Sequence, residues 1–237
     1  MLRSKRRLVA LAPGGLVLLD LPLRKRHAEL LAADAGEDWR PVAAALRAHC
    51  EQHALRGACL QVLLSQAFVR FLVAPWSMAL TSPASAAAYL CALFDATHGT
   101  RASGWSCTTE ERIAEEPRIA AGVERALIDE LAASASACGA RLGGVAPWIV
   151  PAFARERRRL KRAAGWYAAI EPGWITLAAL RGGRIEEVSR AAFEGAAEPA
   201  LERAVRRQSL RQGIEAPLPV WTAGRADSID AWPELAA

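Results

Sequence analysis

No apolar run in this chain reaches the length of a bilayer span, so no transmembrane helix is expected. The N-terminal stretch, MLRSKRRLVALAPGG, starts basic and turns apolar like a signal peptide. Its apolar run is only about five residues and breaks at Pro13, so it is read as a first β-strand. Cysteine pairing is missing too. The five cysteines are odd in number and scattered, with no CxxC pair, which suits free thiols in a reducing cytosol and not a disulfide framework. No segment is low in complexity. Hydrophobic residues make up 52% of the 237, which excludes a disordered chain and leaves room for one large or two medium domains.

Charge is present in excess of one sign. The net charge is +5, and the basic residues cluster at Arg3 to Arg7, Arg24 to Arg26 and Arg155 to Arg162 (RERRRLKR). These clusters read first as exposed faces. As binding surfaces they fit an anionic membrane, an acidic partner or nucleic acid. Aromatic residues do not interleave with them, which ranks nucleic acid last.

The order of elements is more informative. GWYAAIEPGWITLAALRGGRIEEVSR, Gly165 to Arg190, reads as three short strands joined by turns at Pro172-Gly173 and Gly182-Gly183. A helical pattern, Glu198 to Gln208, and an apolar run, Leu218 to Trp221, follow. The chain opens in the same way: strands Arg7 to Ala12, Leu16 to Leu21 and Arg24 to Leu31, a Pro13-Gly14-Gly15 turn, a helix Asp38 to Leu55, and a strand Cys59 to Leu64. A duplicated βββαβ unit is the plan of the ribonuclease-H-like and actin-like folds. The expected class is therefore mixed α/β, with a first actin-like half over 1–80, an inserted helical segment and linker over 81–164, and a second half over 165–237.

In the middle, Phe68 to Ala74 alternates as a strand whose two faces are apolar apart from Arg70, as an interior strand would be. Ser82-Pro83 starts a helix, Ala84 to Thr97. Trp105 to Thr108 is a short strand. Pro117 is read as opening a long helix to about Cys138, ended by Gly139. A strand from Arg141 to Val145 and a basic helix from Ala152 to Ala164 complete the segment.

Several stretches together resemble the actin-like assembly proteins of type IV pili and type II secretion, of the PilM, GspL cytoplasmic-domain and MSHA pilus biogenesis kind. They are the two three-strand openings, VLLSQAFVRFLVAPWS, GARLGGVAPWIVPAF and WYAAIEPGWITLAALRGG. The resemblance implies two actin-like halves and a non-catalytic scaffold in the cytoplasm, peripheral to the inner membrane. Its implied partners are the tail of an inner-membrane assembly protein, an assembly ATPase and an anionic membrane surface. A true actin-like ATPase of the same fold is the alternative, and a nucleic-acid-binding module is a second.

The turns bear on the choice. In actin-like ATPases the first turn of each half carries an Asp-x-Gly that holds Mg²⁺ and phosphate. Here the first turn is Ala12-Pro13-Gly14-Gly15, with no carboxylate, and Pro13 has no N–H to donate. The second is Glu171-Pro172-Gly173-Trp174, and the late adenine-binding turn is approximated by Trp221 to Gly224. If a nucleotide binds, Gly14, Gly15, Glu171, Gly173 and Gly224 are the residues to hold it, but neither a nucleotide nor Mg²⁺ is expected. A ribonuclease-type metal pair lacks its carboxylates, since Asp20 stands alone at the far end of the second strand. His49, Cys50 and His53 on the first helix have no matching motif elsewhere, so no metal is assigned. Ser65 lies outside any Gly-x-Ser-x-Gly elbow. For a partner's tail, Phe68, Arg70, Phe71 and Trp76 are expected to line the groove, although Phe68, Phe71 and Trp76 equally suit a core.

Overall fold

Two sheets of the protein share one plan. The computed structural model describes residues 6–20, 25–30, 36–99, 104–109 and 115–224. In the first lobe, β1 (Arg6–Ala12), β2 (Gly15–Asp20) and β3 (Lys25–Leu30) form an antiparallel meander, and α1 (Arg40–Gln52) returns the chain to β4 (Cys59–Leu64), parallel to β1. In the second lobe, β9 (Gly165–Glu171), β10 (Trp174–Arg181) and β11 (Arg184–Ala192) repeat the meander. There α5 (Ala197–Arg211) returns the chain to β12 (Val220–Gly224), parallel to β9. The duplicated mixed α/β architecture expected from the sequence is present, strand for strand.

The middle of the chain departs from expectation. β5 (Val69–Ala74), β6 (Trp105–Thr109) and β7 (Arg118–Glu124) make a separate antiparallel sheet in the order β5-β7-β6, and α2 (Pro83–His98) packs on it. The helix expected from Pro117 is corrected: its first turns are the central strand β7, and α3 (Arg125–Ala137) begins only at Arg125. Arg-Ile-Ala-Ala-Gly-Val-Glu looks helical by alanine content. As a central strand, however, it satisfies its backbone on both sides and brings Ala120 into the subdomain core. Gly122 marks the difference, because a Cβ there would come within 2.8 Å of the Phe94 ring.

Pairing also draws the divisions elsewhere than the sequence did. β5, grouped above with the first half, belongs to the inserted sheet, while β8 (Arg141–Pro147) returns to the first sheet beside β4, giving the order β3-β2-β1-β4-β8. The segment over 66–124 is thus a sheet with a helix on it, inserted between β4 and the α3–β8 unit. The basic helix, α4 (Ile149–Leu160), starts earlier than expected because Pro151 fits the first helical turn.

Helix α4 joins the lobes. Its Ile149, Ala152 and Leu160 share a core with Ala10, Ala12 and Val17 of the first sheet and Tyr167, Ala169 and Ala178 of the second. Its basic residues Arg157, Arg158 and Arg159 remain exposed. Of the other basic clusters, Arg3 to Lys5 and Arg24 lie outside the described residues, as does Trp232.

Candidate functional site

Both Pro-Gly turns open onto one cleft. Ala12 pairs with Gly15 across the Pro13-Gly14 loop, and Glu171 pairs with Trp174 across Pro172-Gly173. Gly173 takes φ +75°, which residues with a Cβ rarely adopt, so the tight turn depends on it. The two loops and Gly36, Trp174, Phe193, Glu194 and Arg203 line a cavity of about 820 Å³, large enough for a small-molecule ligand. Arg190 lies over the Trp174 ring, 4.8 Å from its centroid, and fixes that wall.

The carboxylate of the second turn does not face this cleft. Glu171 is completely buried. Its Oε1 accepts a hydrogen bond from the Gln66 N–H at 2.8 Å, and its Oε2 accepts one from the Trp148 indole N–H at 3.0 Å. Ser65, itself buried, also hydrogen-bonds the carboxyl. Burial pushes the Glu171 carboxyl up to about 8, against the pull of these hydrogen bonds and of Arg190. The donors come from the first lobe: Ser65 and Gln66 follow β4, and Trp148 follows β8. Glu171 therefore ties the end of β9 to the ends of two first-lobe strands.

Arg190 on β11 grips the same segment from the other side. Its guanidinium donates to the carbonyls of Gln66 and Ala67 at 3.1 and 3.4 Å and to Glu37 at 2.9 Å. Arg70 on β5 donates to the other oxygen of Glu37. One exposed carboxylate thus bridges two half-buried cations, one on the inserted sheet and one on the second lobe.

The five candidate nucleotide residues separate. Gly14 and Gly173 line the cleft. Gly15 is buried at the start of β2. Glu171 lies beneath its turn with its oxygens engaged. Gly224 lies close against Trp148: at φ +85°, a Cβ there would overlap the Ile170 carbonyl and the Trp148 ring. Its lack of a side chain lets the indole reach Glu171.

The candidate tail-binding residues separate as well. Phe68 is 4% exposed and belongs to the first-lobe core, so its place in a groove is corrected. It sits in a 3-10 turn, Gln66–Phe68, before the strand begins. Phe71 packs against both the first-lobe core and the inter-lobe core, and Trp76 is partly buried. Arg70 and Phe71, with His98, Val188 and Arg190, line a cavity of about 190 Å³ between β5 and β11, room for one side chain and not a peptide.

His49 and His53 stack with ring centroids 4.3 Å apart, and the His27 ring lies tilted against His49 at the same distance. Among the described residues, no three His, Cys, Asp or Glu side chains are arranged to hold a metal ion. Arg190, Glu37 and the Trp148–Glu171 contact went unnoticed in the sequence. Their partners lie 23 to 153 residues away along the chain, and no local pattern marks them.

A duplicated βββαβ unit with a cleft between its first turns defines the actin-like fold, and comparison with solved structures bears this out. The cytoplasmic domain of EpsL, an inner-membrane component of the type II secretion system of Vibrio cholerae, matches with a TM-score of 0.59 at 12% identity, over 95% of this chain and 84% of that one. A Bacteroides thetaiotaomicron protein with an actin-like ATPase fold and unknown function matches with a TM-score of 0.62 at 10% identity, over 99% and 96%. A chain of the PilM–PilN type IV pilus biogenesis complex matches with a TM-score of 0.57 at 12% identity, over 87% and 66%. No family model matches the sequence, and no curated protein matches it. Among the described residues, no helix is long and apolar enough to cross a membrane.

Proposed function

We propose that this chain is a non-catalytic scaffold at the cytoplasmic face of the inner membrane, in an assembly platform of the type IV pilus or type II secretion kind. In this reading it holds the cytoplasmic tail of an inner-membrane component and stands beside an assembly ATPase. The structural likeness to the EpsL cytoplasmic domain and to PilM supports the setting. The exposed cations of α4 suit an anionic leaflet.

The observation that carries the non-catalytic part is what stands at the two positions where a turn carboxylate would be needed. One position is Ala12, packed in the inter-lobe core. The other is Glu171, buried with both oxygens bonded to protein donors. A Mg²⁺-bound phosphate needs carboxylates that reach the cleft and N–H groups that face it, and Pro13 and Pro172 supply no N–H.

Phosphate release from Mg-ATP tests this part, with no turnover expected. A turnover that disappears in Glu171→Ala, in protein shown to be folded, defeats it. Co-expression with the neighbouring membrane components tests the tether: a protein that stays wholly soluble beside them defeats that part. A second reading, nucleotide binding without hydrolysis, draws on the 820 Å³ cleft with Trp174 and Arg203 on its walls. Calorimetric titration with ATP separates it from the first.

A further inference from the structure

Three basic side chains converge where β5, the end of α2 and β11 meet. Arg70, His98 and Arg190 line the cavity of about 190 Å³, and Phe71, Val188 and Ser189 complete its wall. His98 is held there twice. Its ring packs on Phe94 with centroids 5.5 Å apart, and its Nε2 donates to the Phe71 carbonyl at 3.2 Å. Arg70 donates to the Ala67 and Val69 carbonyls, and Arg190 to the Gln66 and Ala67 carbonyls. These bonds fix both guanidiniums but bring no countercharge.

Charge does not balance at this junction. The Arg70 and Arg190 side chains are 20% and 22% exposed, and the one carboxylate they share, Glu37, is 43% exposed. Two cations thus face a single anion, and the anion is the more solvated of the three. Glu171, which also acts on Arg190, adds no charge at neutral pH because burial holds its proton up to about 8. Burial first, and then the like charge of Arg70, hold Arg190 below its ordinary value against the pull of Glu37. Hydrogen bonding is incomplete as well. Among the described residues, the Nε–H of neither guanidinium has an acceptor. Cations withdrawn from water and short of countercharge favour an anion beside them.

We propose that this cavity binds a small tetrahedral oxoanion, phosphate or the head of a phosphate monoester, between Arg70 and Arg190. The planar fork of a guanidinium matches two phosphate oxygens, and here two forks approach from different bodies of the fold. The volume sets the class of ligand. It lies below the range of pockets that enclose drug-sized molecules, so a nucleoside does not enter. The bound anion supplies the missing countercharge and strengthens the clamp of the inserted sheet on the second lobe, which Glu37 alone now makes from outside. This cavity shares no lining residue with the Pro-Gly cleft. The inference is therefore independent of nucleotide binding there and of the proposed scaffold role.

Calorimetric titration of the full chain with inorganic phosphate, at an ionic strength held constant with sodium chloride, tests it. Saturable binding of one phosphate per chain is expected, with a rise in melting temperature that chloride alone does not reproduce. Arg70→Gln, in protein with an unchanged circular dichroism spectrum, is expected to weaken binding by about tenfold or more. Glu37→Gln removes the competing carboxylate and is expected to tighten binding by about fivefold, a gain that loss of fold does not imitate. Titration with glycerol phosphate separates the two sources. Binding as tight as that of phosphate assigns the site to a monoester head, and binding of phosphate alone assigns it to the free ion. Failure of both to bind overturns the proposal. So does a stabilisation that chloride reproduces, or an affinity that neither Arg70→Gln nor Glu37→Gln moves. Binding that is lost in Arg203→Gln and kept in Arg70→Gln also overturns it and assigns the anion to the Pro-Gly cleft.

Discussion

Replacing Glu171 with alanine tests the link between the two lobes. The change strands two buried donors, the Gln66 N–H and the Trp148 indole N–H. An orphaned buried donor costs about 1–3 kcal/mol, so the two N–H groups together set an expected loss of about 2–6 kcal/mol at pH 6. For a chain of this size, each kcal/mol moves the melting temperature by roughly 2–4 °C. The pH dependence has a definite sign. The Glu171 carboxyl is held at about 8 in the fold, against an ordinary value of 4.5. Between those values the folded state keeps a proton that the unfolded state releases. Glu171 therefore contributes stability at low pH that is lost as the pH rises through 8. The gap between the natural chain and Glu171→Ala should narrow from pH 6 to pH 9. Urea unfolding followed by tryptophan fluorescence at both pH values measures it, with Trp148 as a reporter at the site. A variant as stable as the parent at both pH values, or a gap that widens with pH, refutes the reasoning.

His49 predicts the opposite slope on the acid side. Burial first, and then the charges of His27, His53 and Arg7, hold its imidazole at about 4 against 6.5, so stability should fall as the pH drops from 6.5 toward 4. His49→Gln should flatten that limb in urea melts. Gly224→Ala should cost at least about 1–3 kcal/mol through overpacking and shift the Trp148 fluorescence, because the new methyl meets the Ile170 carbonyl and the indole. Phe68→Ala should cost about 3–5 kcal/mol, as a core phenylalanine does. If it instead leaves stability unchanged and weakens only the hold on a membrane partner, Phe68 lines a groove after all.

The duplication was legible because its signals are local. Alternating apolar runs, Pro-Gly and Gly-Gly turns and a helical stretch occur twice in the same order, and each falls within about sixty residues. The inserted sheet was half legible. β5 and β6 alternate visibly, but β7 is Ala-Gly-rich, and alanine favours a helix until two neighbouring strands claim its backbone. The assignment of β5 and β8 to their sheets was not legible, since pairing between strands so far apart in the chain leaves no mark on either strand. At the site, the two Pro-Gly turns were legible as strand connections. That Glu171 turns inward depends on Trp148, Gln66 and Gly224 arriving from three other places in the chain.

Ala12 and Glu171 hold the same station in the two lobes, each the last residue of its first strand and each paired across a Pro-Gly loop. Both point into the inter-lobe interior. Ala12 is 2% exposed among Ala10, Val17 and Tyr167, and a carboxylate put there by Ala12→Asp would be buried with no donor assigned to it, at a cost of several kcal/mol. At Glu171 the same burial is tolerated because three first-lobe groups converge on the carboxyl. On the proposed non-catalytic reading, building a phosphate site here takes more than restoring one acid. The Trp148 indole would have to leave, which reopens the core around α4, and Pro13 and Pro172 would have to yield their N–H-free turns. On the proposed reading, the residues that keep metal chemistry out of the cleft are the ones that join the lobes, so a gain of the first function comes at the expense of the second.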